Sequence, residues 1–314
     1  MNNNTINRKE INVSVVGTGA IGGFYGIMLA QLGYNVHFLL HSDYDYVKEN
    51  GLTLASKVFG EIKLPKVNAY KNAKDMPVSD IVLVALKTTQ NKNVLPEVLP
   101  EITDENSSVI FIQNGLGMEE EAVAMFPNLH VAGAVALIGS RKEKNGIIIH
   151  ETYGAIDFGN FNLKNDAVLQ QLANDFNSVN IPSTVQNLKE LRWKKLLWNT
   201  TFNGLSVVTD SKTDDLLKYH LPQAKEIMQE VRQAAKLDGV DIPEDFIDGM
   251  ILFTEKMDSY APSMKVDYDR GNPLELEYLY ERPISKAYSL GFEMEKTTEL
   301  YKHLTQLTAV KKLN

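Results

Sequence analysis

The stretch INVSVVGTGAIGGFYGIMLAQLG, Ile11 to Gly33, decides how this chain is read. It opens on an apolar run, Val13-Ser14-Val15-Val16, of the length of a buried strand. It turns through Gly17-Thr18-Gly19-Ala20-Ile21-Gly22. Phe24, Ile27, Met28 and Leu32 then recur at helical spacing, with Gly33 as a C-terminal stop. This is strand, G-x-G-x-x-G, helix, and each glycine has a reason. Gly17 allows the tight turn, Gly19 lets the backbone approach a pyrophosphate, and Gly22 lets the helix pack closely on the strand. The helix start offers free N–H groups and the positive end of its dipole to phosphates. The plainer alternative is a glycine-rich turn that merely joins a strand to its helix. The flanking strand and helix favour dinucleotide binding.

Composition bounds the rest. The chain has 314 residues, enough for about two domains. Hydrophobic content of 44% and charged content of 23% are ordinary for a soluble globular protein. A net charge of −8 argues against a general nucleic-acid binder but leaves room for an anionic ligand in a locally positive pocket. With no cysteine there is no disulfide, thiolate metal site or cysteine nucleophile, and no metal is expected. The N-terminus, MNNNTINRKE, lacks an apolar signal core, and runs such as Ile81–Leu86 are far short of a membrane span. A cytoplasmic protein with no membrane partner is the expectation.

Asn35–Leu40 reads as the second strand, whose C-terminal end faces the adenosine ribose in such a fold. An acid there would accept the 2′-hydroxyl of NAD. The chain instead has Leu40, His41 and Ser42, with Asp43 further on. Lack of an acid removes repulsion against a 2′-phosphate, and His41 and Ser42 can donate to one, so NADP(H) is the expected cofactor. Otherwise both are loop residues, with Ser42 capping a short helix from Asp43. Leu52–Lys57 and Glu61–Leu64 form a candidate hairpin, and Ile81–Leu86 and Val109–Ile112 candidate buried parallel strands. Lys87 and Gln90 follow the first of these, and Gln113-Asn114-Gly115-Leu116-Gly117 the second, where ligands bind in open parallel sheets. A solvated lysine and a turn-forming asparagine are the plain alternatives for Lys87 and Asn114. Val131–Ile138, Ile147–Ile149 and Tyr153–Phe158 are strand-like, Ala167–Phe176 helical, and Ser183–Val185 a last strand.

After Gln186 the pattern is helical: Leu188–Leu205, Pro222–Leu237, a helix from Pro243, and Leu274–Leu290, with Pro283 predicting a kink or break. Domains over 1–186 and 187–314 follow. Lys195, Asn199 and Asn203 are four apart on one predicted helix, so they stack on one face, facing either water or a polar cleft. Ser263 and Glu275 sit on or between later helices, and singly each reads as a cap or a solvated residue. A carbonyl reductase needs a proton donor near the carbonyl oxygen, and Lys195 with amides, a serine and a carboxylate would meet that need.

Five motifs in order resemble the ketopantoate (2-dehydropantoate) reductases: G-x-G-A-I-G at Gly17–Gly22, L-K-x-x-Q at Leu86, Lys87 and Gln90, N-G-L-G at Asn114–Gly117, W-x-K-L-x-x-N-x-x-x-N at Trp193 to Asn203, and S-M-x-x-D with a following glutamate at Ser263, Met264, Asp267 and Glu275. The resemblance implies an N-terminal Rossmann-type α/β domain and an all-α C-terminal domain like that of 6-phosphogluconate dehydrogenase, with the site in the cleft between them. It implies that Lys195 donates the proton and that Glu275 positions substrate and lysine. Asn199, Asn203, Ser263 and Asn114 would bind a small 2-keto acid. Gly17, Thr18, Gly19, Ala20, Ile21, Gly22, His41, Ser42, Lys87, Gln90 and Asn114 would hold NADP(H). The implied activity is NADPH-dependent reduction of 2-dehydropantoate to (R)-pantoate on the route to pantothenate and coenzyme A, with a homodimer as the assembly to test. A reductase of another branched 2-keto acid, or a non-catalytic cofactor-binding sensor, are the alternatives. Two departures stand out: His41 replaces the usual arginine, and Tyr280, followed by Pro283, replaces an asparagine, so a different pocket wall is expected there.

Overall fold

The computed structural model describes residues 7–311. They divide into two units, one comprising the chain up to Gln113 together with Glu119–Leu188, the other Asn114–Met118 with the chain from Lys189 onward.

The first unit is built on ten strands: β1 (Asn12–Val16), β2 (Asn35–Leu39), β3 (Leu52–Ser56), β4 (Gly60–Leu64), β5 (Asn68–Tyr70), β6 (Ile81–Val84), β7 (Ser108–Phe111), β8 (His130–Lys142), β9 (Ile147–Asn160) and β10 (Ser183–Val185). The main order is β4-β3-β9-β8-β7-β6-β1-β2-β5, with β10 beside β9. From β5 to β8 every pairing is parallel. That run has the doubly wound order, and its switch point lies between β1 and β6. Strand β6 is buried along its whole length and β1 nearly so, because helices cover both faces of a parallel sheet. Helix α1 (Ala20–Gln31) places Phe24, Ile27 and Met28 into the core with Val15 and Phe38. Helices α2 (Tyr44–Asn50), α3 (Asn91–Ile102), α4 (Met118–Met125) and α5 (Ala167–Ser178) complete the crossovers and cover.

Three details differ from the sequence reading. The strand segments between Val131 and Phe158 are two long antiparallel strands, β8 and β9, joined through Asn145-Gly146 at positive φ, with irregularities near Ile138 and Ser140. The short strand β5 carries no sequence signal over its three residues. Ser42 does not cap α2, whose first turn has no side-chain cap.

In the second unit, the helix expected over Leu188–Leu205 is α6 (Leu188–Trp198), a π-helical turn over Asn199–Asn203, and α7 (Gly204–Val208). Then come α8 (Thr213–Tyr219), α9 (Leu221–Leu237), α10 (Asp245–Glu255), α11 (Ser263–Asp269), a second π-helical turn (Glu277–Glu281), α12 (Arg282–Ser289) and α13 (Glu295–Lys311). Regular α-helix is interrupted just before Pro283, by the π turn over Glu277–Glu281. The proline sits in the first turn of α12, directly after the π turn, where a missing N–H is tolerated. The carbonyl of Leu279, four residues before the proline, accepts the Thr200 hydroxyl instead, at 3.1 Å. The helical core gathers Trp193, Phe202, Ile227, Val231, Tyr280 and Leu300.

His150 on β9 is fully buried, packed against the rings of Phe24 and Phe59. Its Nε2–H donates to the Thr152 carbonyl (3.1 Å) and its Nδ1 accepts from Ser56 Oγ (2.8 Å), which fits a neutral ring. Burial lowers its pKa from the ordinary 6.5, and that of His37 likewise. The unfolded chain therefore binds more protons than the fold between those lowered values and 6.5, and stability falls as pH drops through that window. Thermal melts from neutral to acidic pH should show a falling Tm below about 6.5. His150→Gln should flatten that slope; an unchanged slope would show that His150 stays neutral in neither state more than the other.

Candidate active site

The first group of candidate residues sits at the switch point of the sheet. Gly17 has φ 97°, and a Cβ there would lie 2.7 Å from the backbone N of Leu86, so only glycine fits where the loops after β1 and β6 meet. At Gly19 the nearest atom to an added Cβ is 4.0 Å away, so this position borders open space that a ligand can enter. The Gly23 N–H makes the first helical bond, to Gly19 (2.9 Å). Among the described residues, the N–H groups of Ala20, Ile21 and Gly22 have no backbone acceptor, as at any helix start. The glycine turn thus has the form of a phosphate cradle.

Thr18 anchors this turn from both sides. Its hydroxyl donates to the Leu39 carbonyl at the end of β2 (2.9 Å), and its own carbonyl accepts from Lys142 Nζ (2.7 Å). Lys142 also pairs with Asp43 (2.8 Å), whose second oxygen accepts the Gly146 N–H (3.1 Å). His41 and Ser42 are exposed beside this network, and Lys87 and Gln90 are exposed after β6. The sequence reading missed a buried amide clamp: Gln113 Nε2 donates to the Leu86 carbonyl and to Asn91 Oδ1, both at 2.8 Å, and Asn91 donates back at 3.0 Å. It holds the backbone just ahead of Lys87. Its only sequence hint is that Gln113 directly precedes the N-G-L-G motif.

The second group lies in the helical unit, to which Asn114–Met118 belongs. The two π turns organise it. Their wider register releases carbonyls from ordinary helical bonding. The Tyr278 carbonyl accepts the Leu116 N–H (3.0 Å), and the Thr200 carbonyl accepts the Tyr280 hydroxyl (2.8 Å). A Cβ on Gly115 would lie 2.5 Å from the Tyr278 oxygen, which explains the glycine after Asn114. Arg282 stacks over the Tyr278 ring, donates to the Gly117 carbonyl (2.6 Å) and is held by Glu277 (2.7 Å). The N-G-L-G motif is therefore seated on the second π turn. Asn114 Oδ1 accepts from Asn199 Nδ2 (3.1 Å). Asn203 Oδ1 accepts the Met264 N–H (3.1 Å) and lies 3.5 Å from Ser263 Oγ at the start of α11. The amide nitrogens of Asn114 and Asn203 have no partner among the described residues.

Lys195 stands one turn before Asn199. The π turn carries one residue more than an α turn, so Asn203 is rotated off the strict stripe predicted for a continuous helix. Among the described residues Lys195 Nζ has no hydrogen bond or ion pair, and it lies 6.0 Å from the Trp198 ring centre. Desolvation lowers its pKa from 10.5 to about 8. Glu275 is buried just ahead of the second π turn and has interactions of its own. Tyr280 is not an accessible wall: it has no exposed surface and belongs to the helical core, stacked near Tyr301. Among the described residues no cluster of three His, Asp or Glu side chains could hold a metal, and no helix is long and apolar enough to cross a membrane.

A doubly wound sheet with a glycine turn at its switch point, followed by a helical domain, defines the class of α/β oxidoreductases built on a Rossmann-type fold. The family model for "Ketopantoate reductase PanE/ApbA" matches residues 13–162, and that for its C-terminal domain residues 187–308. The chain belongs to the ketopantoate reductase family and is an enzyme of that class. It is 41% identical over 306 residues to a 2-dehydropantoate 2-reductase from Nostoc sp. strain PCC 7120, covering 94% of this chain and 95% of that one. The crystal structure of a 2-dehydropantoate 2-reductase from Geobacter metallireducens GS-15 matches with a TM-score of 0.90 at 32% identity, over 94% of this chain and 99% of that one. A D-mandelate dehydrogenase solved with NADH and anilino(oxo)acetate shares the fold, with a TM-score of 0.87 at 18% identity, over 96% of this chain and 100% of that one.

The fit of the two π turns is testable. A Cβ on Gly204 would lie 2.3 Å from the Tyr280 hydroxyl and 2.7 Å from Leu300 Cδ2. Gly204→Ala should cost about 1–3 kcal/mol by overpacking. Adding Tyr280→Phe, which deletes the struck oxygen, should make the double variant less destabilised than the sum of the singles by at least ~0.5 kcal/mol in urea denaturation. Strict additivity would mean that the two side chains do not meet.

Proposed function

We propose that this protein reduces 2-dehydropantoate to (R)-pantoate with NADPH. The observation that carries the reading is a desolvated lysine, Lys195, one turn from an asparagine pair in a chain of this family. The bound cofactor supplies the hydride to the keto carbon. The protein's part is to manage the charge that then develops on the carbonyl oxygen. Lys195 donates a proton there, and its position near apolar Trp198 strengthens that interaction relative to water. The free amide nitrogens of Asn114 and Asn203 donate to the substrate's carboxylate and oxygen atoms, and Ser263 adds a hydroxyl. Glu275 anchors the ammonium or the substrate hydroxyl and fixes the geometry of transfer.

The glycine turn, with Thr18 anchored on both sides, binds the pyrophosphate, while Lys87 and Gln90 contact the cofactor beyond it. NADPH is favoured over NADH by the end of β2. Asp43 is the first acid after β2 in the sequence, and its charge is compensated by Lys142 while its second oxygen accepts the Gly146 N–H, so it repels a 2′-phosphate less than a bare carboxylate would. His41 and Ser42 remain exposed as donors to a 2′-phosphate. Besides NADPH, the reaction takes a small 2-keto acid as its substrate, and a homodimer is the assembly to test.

With Lys195 titrating near 8, the competent ammonium is lost as pH rises through that value, so kcat should fall on the alkaline side with an apparent pKa about 8. Lys195→Ala should lower kcat by roughly 10²–10⁴-fold, abolish that limb and leave NADPH binding nearly intact. Steady-state NADPH oxidation with 2-dehydropantoate and with other branched 2-keto acids, beside cofactor binding by fluorescence, measures all three. Near wild-type turnover by Lys195→Ala would assign the proton to another group. Turnover of another 2-keto acid in preference to 2-dehydropantoate would replace the substrate.

A further inference from the structure

Lys142 and Asp43 are 99 residues apart in sequence, yet they form an ion pair at 2.8 Å, with side chains only 24% and 11% exposed. The same ammonium donates to the carbonyl of Thr18, inside the glycine turn, whose hydroxyl holds the last residue of β2. The pair therefore sits at the junction of the two segments between which the adenosine ribose of a dinucleotide lies in this fold. Asp43 follows the end of β2 by four residues, a little beyond the strand end where an NAD-binding protein keeps the acid that accepts the ribose hydroxyls, and is the first acid in the loop that follows. Nothing else about this loop selects for a 2′-phosphate strongly, since His41 stands where an arginine would bind it.

We propose that Lys142 is a specificity-determining residue for the cofactor, acting by masking Asp43. The ammonium compensates the charge of the carboxylate, and the Gly146 N–H adds a bond to its second oxygen. Lys142, at the end of β8, thereby cancels the charge with which Asp43 would repel a 2′-phosphate. The proposal rests on the NADPH reading above and assigns its selectivity to a hairpin remote in sequence from the glycine motif.

Removing the lysine leaves an unpaired carboxylate beside the ribose site. Two like charges a few ångströms apart at a wet surface repel by about the free energy of a several-fold to tenfold change in binding, and a 2′-phosphate carries more than one charge. Lys142→Met should therefore lower the ratio of kcat/KM for NADPH to that for NADH by about tenfold or more, chiefly through a raised KM for NADPH. Adding Asp43→Asn, which removes the unmasked charge, should restore the ratio. Lys142→Arg, which keeps the charge, should retain it. Cofactor binding by fluorescence quenching and thermal melts accompany the kinetics, so a variant that has merely lost its fold is recognised. If Lys142→Met weakens NADPH and NADH equally, the lysine is only a brace for the glycine turn and the proposal fails. It fails also if the ratio does not move, or if Asp43→Asn does not restore it. A wild-type protein that prefers NADH would instead overturn the cofactor reading on which the proposal rests, and this is seen before any variant is made.

Discussion

A buried carbonyl must find a donor, and the places where this protein departs from regular structure are those where a carbonyl was released and taken up again. In the sheet the ladders satisfy the backbone almost everywhere. At the glycine turn the Thr18 carbonyl leaves the ladder and is held by Lys142. At the end of β6 the Leu86 carbonyl is held by Gln113. In the helical unit the two π turns free the carbonyls of Thr200, Tyr278 and Leu279, which accept from Tyr280, Leu116 and Thr200 in turn. Each irregularity is thus a point of attachment. The N-G-L-G motif is seated because Tyr278 has an oxygen to offer it, and Pro283 is tolerated because Leu279 has another donor.

Electrostatics runs on the same economy of partners. The chain carries a net charge of −8, and several of its cations are half-buried or buried against that background. Lys142 and Lys265 are neutralised by carboxylates at hydrogen-bond distance. Arg282 is neutralised by Glu277 and also holds a backbone carbonyl. Lys195 differs from these. Among the described residues it has no ion pair, and desolvation lowers its pKa to about 8.

Local sequence determined a good deal. The strand, glycine turn and first helix were legible because turn geometry admits only glycine at Gly17, and unbroken apolar runs identified the buried parallel strands, whose two faces are both covered. The helical character of the second half and the hairpin of β3 and β4 were legible for the same reason: they depend on residues close together in the chain. Five ordered motifs carried the family.

Only the tertiary structure decided the rest, because it depends on partners far apart in sequence. An α-helical spacing cannot announce a π turn, which forms where a distant hydroxyl, that of Tyr280 for the carbonyl of Thr200, compensates the lost bond. Tyr280, read as a pocket wall, is instead core, because Gly204 leaves room for its ring and hydroxyl. Pro283, read as a break, is absorbed by the turn before it. Asp43, read as the start of a capped helix, is bound by a lysine from the far hairpin between β8 and β9. In each case the residue type was visible in the sequence, but its role was set by which buried group needed a partner.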